Sequence, residues 1–131
     1  MWRIGAIVLL AAAVWARWRP FRVAVEGTSM APELEPGDWL VATRPARLRP
    51  GDLVVVEHPE RPGFELVKRL TALSGESVGA LVLGPDEYWV TGVQRGSSTD
   101  STRFGPVRAR HIRGVVRLRY WPPRRMRLLR T

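Results

Sequence analysis

Apolar residues follow two different patterns along this chain. Over residues 4–16 they form one uncharged run, "IGAIVLLAAAVWA", flanked by Arg3 and Arg17 with Trp2, Trp15 and Trp18 at its edges. That reads as a hydrophobic helix with interfacial anchors, although it is shorter than the ~20 residues of a full span. From Phe21 onward the apolar stretches are short and separated by Pro, Gly, Asp and Ser, which predicts a mostly β domain of short antiparallel strands. Strands are expected over 22–26, 39–43, 53–58, 64–73, 78–83, 88–93 and 115–121. The turn "PGD" occurs at 36–38 and again at 50–52, each time before an apolar strand. Proline presets φ and glycine permits φ > 0, so both are turns with a mechanism, not proof of a repeat. The organisation expected is a membrane anchor over 1–19, one folded domain over 20–122, and a mobile basic tail over 123–131. A cleaved secretory signal is the rival reading of the first segment. Trp39, just past the first turn, is assigned to the core.

Composition narrows the chemistry. The chain has 131 residues, 21 Lys plus Arg against 12 acidic residues, a net charge of +9 and no cysteine. Disulfides, thiol nucleophiles and cysteine-based zinc sites are excluded, and no metal or cofactor is expected. The arginines concentrate near the chain ends, which favours a membrane surface over nucleic acid as the partner. Charge on both flanks of the apolar run leaves its orientation poorly set, with a slight excess placing the domain on the cytoplasmic side. Oligomeric state is unspecified.

The stretch "VEGTSMAPELEPGDWLVA", residues 25–42, presents Ser29 in a turn between apolar segments. A serine hydroxyl needs a neighbouring base to become a nucleophile. His58 and His111 lack an acid placed to orient them and read as surface residues. Only one lysine is present, Lys68. In "FELVKRL" strand alternation puts Lys68 on the same face as Phe64, Leu66 and Leu70, with Glu65, Val67 and Arg69 opposite. Burial there lowers an ammonium pKa toward the range a general base needs, whereas a lysine that snorkels out of a half-buried strand gains no such property.

With Ser29 and Lys68 in view, the chain resembles the type I signal peptidase family of serine/lysine endopeptidases. Three boxes occur in order: "GTSMAPELEPGD" around Ser29, "LVKRLTALSGE" around Lys68, and "GVQRGSSTDSTRFGPV", which is similar to the family's Gly-Asp-Asn, Ser-x-Asp-Ser-Arg and Gly-x-Val pattern. The resemblance implies a compact signal-peptidase-like β-domain, Ser29 as nucleophile and Lys68 as general base. It also implies that Ser98 orients the lysine amine, that Asp100 buttresses the same loop, and that the Ser29 backbone N–H stabilises the oxyanion. Gly27 stands where some members carry a second oxyanion hydroxyl, leaving Thr28 as the nearest one. Val93 and Gln94 replace the usual Asp-Asn, Thr102 replaces the Arg that pairs with the loop Asp, and "LSGE" at 73–76 replaces Leu-Pro-Gly-Asp. These departures imply a working dyad with rearranged support.

The short length and the phrases "VVVEHPERPGFELVKRL" and "STRFGPV" look most like the nickel-type superoxide dismutase maturation proteases, which remove an N-terminal extension from a precursor polypeptide. A general signal peptidase for secreted precursors is the alternative within the same chemistry. Self-cleaving repressors share a similar serine box but carry a helix-turn-helix and a cleavage site not visible here. A catalytically inactive, basic membrane-surface adaptor is the reading from a different class.

Overall fold

The computed structural model describes residues 2–45, 47–94 and 99–129. The apolar run forms helix α1 (Trp2–Trp18), in which no residue is buried. At ~1.5 Å per residue it is about 25 Å long, against about 30 Å for a hydrocarbon core. Among the described residues no helix is long and apolar enough to cross a membrane. Its C-terminal end meets the domain through Arg44 N–H, which donates to the Trp18 carbonyl at 2.7 Å, and through the Arg117 guanidinium 5.4 Å from the centre of a Trp18 ring.

The remainder is mostly antiparallel β, as the apolar spacing predicts. The strands are β1 (Phe21–Ala24), β2 (Trp39–Thr43), β3 (Leu53–Glu57), β4 (Glu65–Ala72), β5 (Ser77–Val78), β6 (Leu81–Val82), β7 (Trp89–Thr91), β8 (Ile112–Trp121) and β9 (Arg127–Leu128). A short helix α2 (Ser101–Phe104) follows β7. The main sheet runs β1-β2-β8-β3-β4-β7, with β9 added beside β8, and β5 with β6 makes a separate hairpin. Alternation along the strands feeds two apolar clusters. One gathers Met30, Leu34, Leu40, Val55 and Val116. The other gathers Val54, Val56, Leu70, Val90 and Val115.

Both PGD turns are built alike. Gly37 and Gly51 have φ of 91° and 94°, which a side chain would disfavour. In the first, Asp38 N–H donates to the Glu35 carbonyl while Glu35 N–H donates back to the Asp38 carboxylate. Asp52 and Arg49 repeat that exchange in the second.

Four expectations change. The stretch 78–83 is two short strands, not one, because the chain reverses through Gly79, whose φ is 58°. β8 begins three residues early, at Ile112, and runs through Gly114. Gly114 is there for space: a Cβ on it would lie 2.7 Å from the Phe21 ring and from the Thr43 carbonyl oxygen. The basic tail is not loose as far as Leu129, since Arg127 and Leu128 pair with Arg119 and Leu118 of β8. Trp39, assigned to the core, is 39% exposed.

Candidate active site

Ser29 sits in the turn between β1 and β2, and its neighbours fix that turn from below. Met30 and Leu34 are buried plugs, and Leu34 N–H donates to the Met30 carbonyl at 2.9 Å, closing one helical turn. The Ser29 carbonyl accepts from two consecutive amides beyond β7, Val93 N–H at 2.7 Å and Gln94 N–H at 2.9 Å. Gln94 also donates its side-chain amide to the Ala31 carbonyl at 2.9 Å. The loop carrying the third sequence box is thus hydrogen-bonded to the serine turn.

Lys68 comes from the middle of β4. It pairs across the strand with Val54, which is fully buried, and alternates with fully buried Leu70, so its side chain is directed inward as the spacing predicts. Lys68 is 1% exposed. Its Nζ donates to Ser29 Oγ at 2.6 Å, joining residues 39 positions apart in the chain. Burial pushes the ammonium pKa down from 10.5, and the negative charge of Asp100 pulls it partly back up. That combination leaves a lysine able to lose its proton more readily than a solvated one, next to a hydroxyl in need of a base.

Asp100 caps α2 and is buried. One carboxylate oxygen accepts from Gly92 N–H at 2.9 Å, and the other accepts from Thr102 N–H at 3.0 Å and from the Thr102 hydroxyl at 2.5 Å. It therefore ties the exit of β7 to α2 while lying within electrostatic reach of Lys68. Ser98, assigned to orient the lysine, lies outside the described residues. Thr28 is exposed, and its carbonyl accepts from Ala31 N–H at 3.0 Å.

Three departures from the family pattern have a structural substitute. Val93 and Gln94 support Ser29 through backbone amides, a function independent of the missing Asp and Asn side chains. Thr102 gives Asp100 a hydroxyl where the family supplies a guanidinium. In "LSGE" the Glu76 carboxylate accepts from Leu73 N–H at 2.7 Å while Glu76 N–H returns to the Leu73 carbonyl, closing the turn in the manner of the PGD aspartates.

Neither histidine hydrogen-bonds to the serine. His58 is buried, not on the surface: Glu60 N–H donates to its Nδ1, and its ring centre lies 5.0 Å from that of Phe104. His111 Nδ1 accepts from Arg108 N–H at 3.3 Å. Among the described residues no group of three or more potential metal ligands comes together. Sequence reasoning missed Ser101, whose buried hydroxyl accepts from Val90 N–H at 2.9 Å and pins α2 to β7. The run "RGSSTDST" offers five hydroxyl side chains for such a role, with no spacing to single one out.

Ser29 opens into a cleft of 420 Å³ walled by β1 residues Val23 and Ala24 on one side and by Phe64, Glu65 and Leu66 on the other. β1 pairs only with β2, and β7 covers β4 only from Arg69 onward, so both walls present unpaired backbone toward the cleft. That arrangement suits an extended polypeptide, which adds a strand between two open edges.

Comparison with known proteins gives a consistent answer. Residues 1–81 and 79–121 match the family described as "Signal peptidase, peptidase S26". The chain is 34% identical over 125 residues to mitochondrial inner membrane protease subunit 2 of Mus musculus, covering 82% of this chain and 70% of that one. It is 32% identical over 114 residues to mitochondrial inner membrane protease subunit 1 of Xenopus tropicalis, covering 76% and 68%. Mitochondrial ATP-independent inner membrane protease subunit 1a of Arabidopsis thaliana is 34% identical over 116 residues, covering 76% and 69%.

Proposed function

This chain belongs to the signal peptidase family, peptidase S26, and from that premise we propose that it is a membrane-associated serine endopeptidase whose Ser29/Lys68 dyad removes an N-terminal extension from a precursor protein. The observation that carries this reading is the 2.6 Å contact between a buried lysine and a serine that lines an open cleft.

In its charged form Lys68 donates to Ser29, so the ammonium must first lose a proton. Neutral Nζ then accepts the Ser29 hydroxyl proton as Oγ attacks the scissile carbonyl, and returns it to the leaving amine. Water, activated by the same amine, hydrolyses the acyl-enzyme. The Ser29 backbone N–H is the oxyanion donor of this scheme, a contribution typically of ~3 to 4 kcal/mol. Ser98 orients the amine and Asp100 holds its loop. Thr28, the residue just before Ser29, is the candidate for a second oxyanion hydroxyl.

Helix α1 supports attachment to a membrane: all its apolar side chains are exposed, and tryptophans stand at both ends. The relatives named as inner membrane proteases favour the same placement. A single-pass anchor with the domain on the cytoplasmic face is the orientation the flanking charges favour slightly.

For the substrate, we infer the precursor of a nickel-type superoxide dismutase, supported by the resemblance of "VVVEHPERPGFELVKRL" and "STRFGPV" to that maturation group. The test is co-expression with such a precursor, reading the product's N-terminus by mass spectrometry for the wild type and Lys68→Ala. Removal of the extension by the wild type alone supports both dyad and substrate. An intact precursor in both, with a secreted precursor cut by the wild type, replaces the dismutase with general precursor processing. The inactive-adaptor reading requires that neither precursor be cut.

A further inference from the structure

One buried charged cluster touches the serine turn without entering the chemistry above. Its centre is Arg119 of β8, which is 6% exposed. At this point β8 is paired on both sides, Arg119 lying opposite Leu40 of β2 and Arg127 of β9, so its backbone is rigidly held. The guanidinium makes three contacts. Nε donates to the Arg125 carbonyl at 2.6 Å, Nη1 donates to the Glu33 carbonyl at 2.9 Å, and Nη1 lies 3.6 Å from Asp38 Oδ2. Arg125 closes the ring by donating from Nη1 to Asp38 Oδ1 at 2.8 Å.

Buried ion pairs contribute little to stability once desolvation is counted, but a planar guanidinium fixes its partners in angle as well as distance. The serine turn has need of that. The Val93 and Gln94 amides hold the Ser29 carbonyl and the Gln94 side chain holds Ala31, but all of these lie at the start of the turn. Further along, buried Met30 and Leu34 add apolar contacts, which are non-directional. Glu33, four residues after Ser29, is the point at which the turn is gripped from both sides. Its carbonyl is bound by Arg119, and its carboxylate pairs with Arg69, the neighbour of Lys68 on β4. The C-terminal segment supplies the Arg125 carbonyl and the Arg125 guanidinium that hold this grip together.

We propose that Arg119 is a positioning residue: by fixing Glu33 it sets Ser29 Oγ against Lys68 Nζ, with residues 122–129 as its support. The proposal rests on the reading of Ser29 as nucleophile. A displacement of about 1 Å between reacting groups lowers rates by ~10²-fold, so a loosened turn should slow the chemistry without weakening substrate binding.

The test uses the full chain and an internally quenched peptide with alanine at the first and third positions before the cut, with kcat expressed per folded molecule from circular dichroism. Arg119→Ala should lower kcat by about 10- to 100-fold while KM stays within about two-fold. Ethylguanidinium should restore part of that loss and ethylammonium should not, because one point charge cannot bridge Glu33 and Arg125. Arg119→Lys should stay folded and remain slow. If Arg119→Ala does not fold, Arg119→Lys decides by the same readouts. A kcat per folded molecule equal to wild type, with only a lower melting temperature, would overturn the proposal. Ser29→Ala, measured alongside, separates the two failures: if it is inactive while the Arg119 variants are normal, only the positioning role falls. If Ser29→Ala still cuts, the nucleophile reading falls and the positioning role with it.

Discussion

Lys68 donates to Ser29 at 2.6 Å from a position directly across the strand pair from Val54, a residue with no exposed surface. The functional consequence comes from the apolar neighbour as much as from the contact, because burial lowers the ammonium pKa and makes the amine available as a base.

Because Lys68 is the only lysine, protein labelled with ¹³C-lysine gives a single ε-carbon signal. Titrating that signal should give a midpoint below 10.5, and the acid limb of kcat/KM should follow it, activity rising as the ammonium deprotonates. A midpoint at or above 10.5 contradicts the assigned role.

Asp100 acts on the same titration from the other side. Its charge favours the ammonium, so Asp100→Asn should move the midpoint and the acid limb to lower pH. The variant should also lose part of the brace between Gly92 and α2, lowering stability by about 1–3 kcal/mol. An acid limb that stays in place would show that Asp100 does not reach the lysine electrostatically.

Replacing the buried amine should stabilise the fold while removing activity. The folded-state pKa of Lys68 lies below its unfolded value, so the unfolded chain binds more protons in the window between them and stability rises with pH there. Below the folded pKa the full cost of burying the charge is present, and above 10.5 it is gone. Lys68→Met should therefore raise the melting temperature at neutral pH by an amount that shrinks as pH approaches 10.5. Denaturation series at pH 6, 8 and 10 would measure this, and a uniform or absent gain would contradict it.

Much of this was legible from the chain. Residues 39–43 have the alternation and turn signals of a strand, and β2 occupies those positions. Lys68 could be placed inside because its neighbours at two-residue spacing are apolar. What stayed hidden depended on contacts remote in sequence. The last strand is expected only from 115, and nothing local shows that the Phe21 ring packs against Gly114; likewise the arginines of 123–131 look like a mobile tail until Asp38 is known to face Arg125. His58 reads as a surface residue because its partner Phe104 is 46 positions away, on another element.

Gly114 gives a direct check on that packing. Gly114→Ala would drive a methyl group into the Phe21 ring and the Thr43 carbonyl, and should cost about 1–3 kcal/mol in a urea titration. Because Phe21 belongs to β1, one wall of the cleft, KM for a peptide substrate should rise as well. A variant of wild-type stability and KM would show that β1 yields freely at this point.

The central claim is that Ser29 and Lys68 together hydrolyse a peptide bond, and the most direct measurement is precursor cleavage by wild type, Ser29→Ala and Lys68→Met at matched folded concentration. The account predicts a single new N-terminus with the wild type, no product with Ser29→Ala, and a rate at least ~10²-fold lower with Lys68→Met. Cleavage at an undiminished rate by either variant would contradict it.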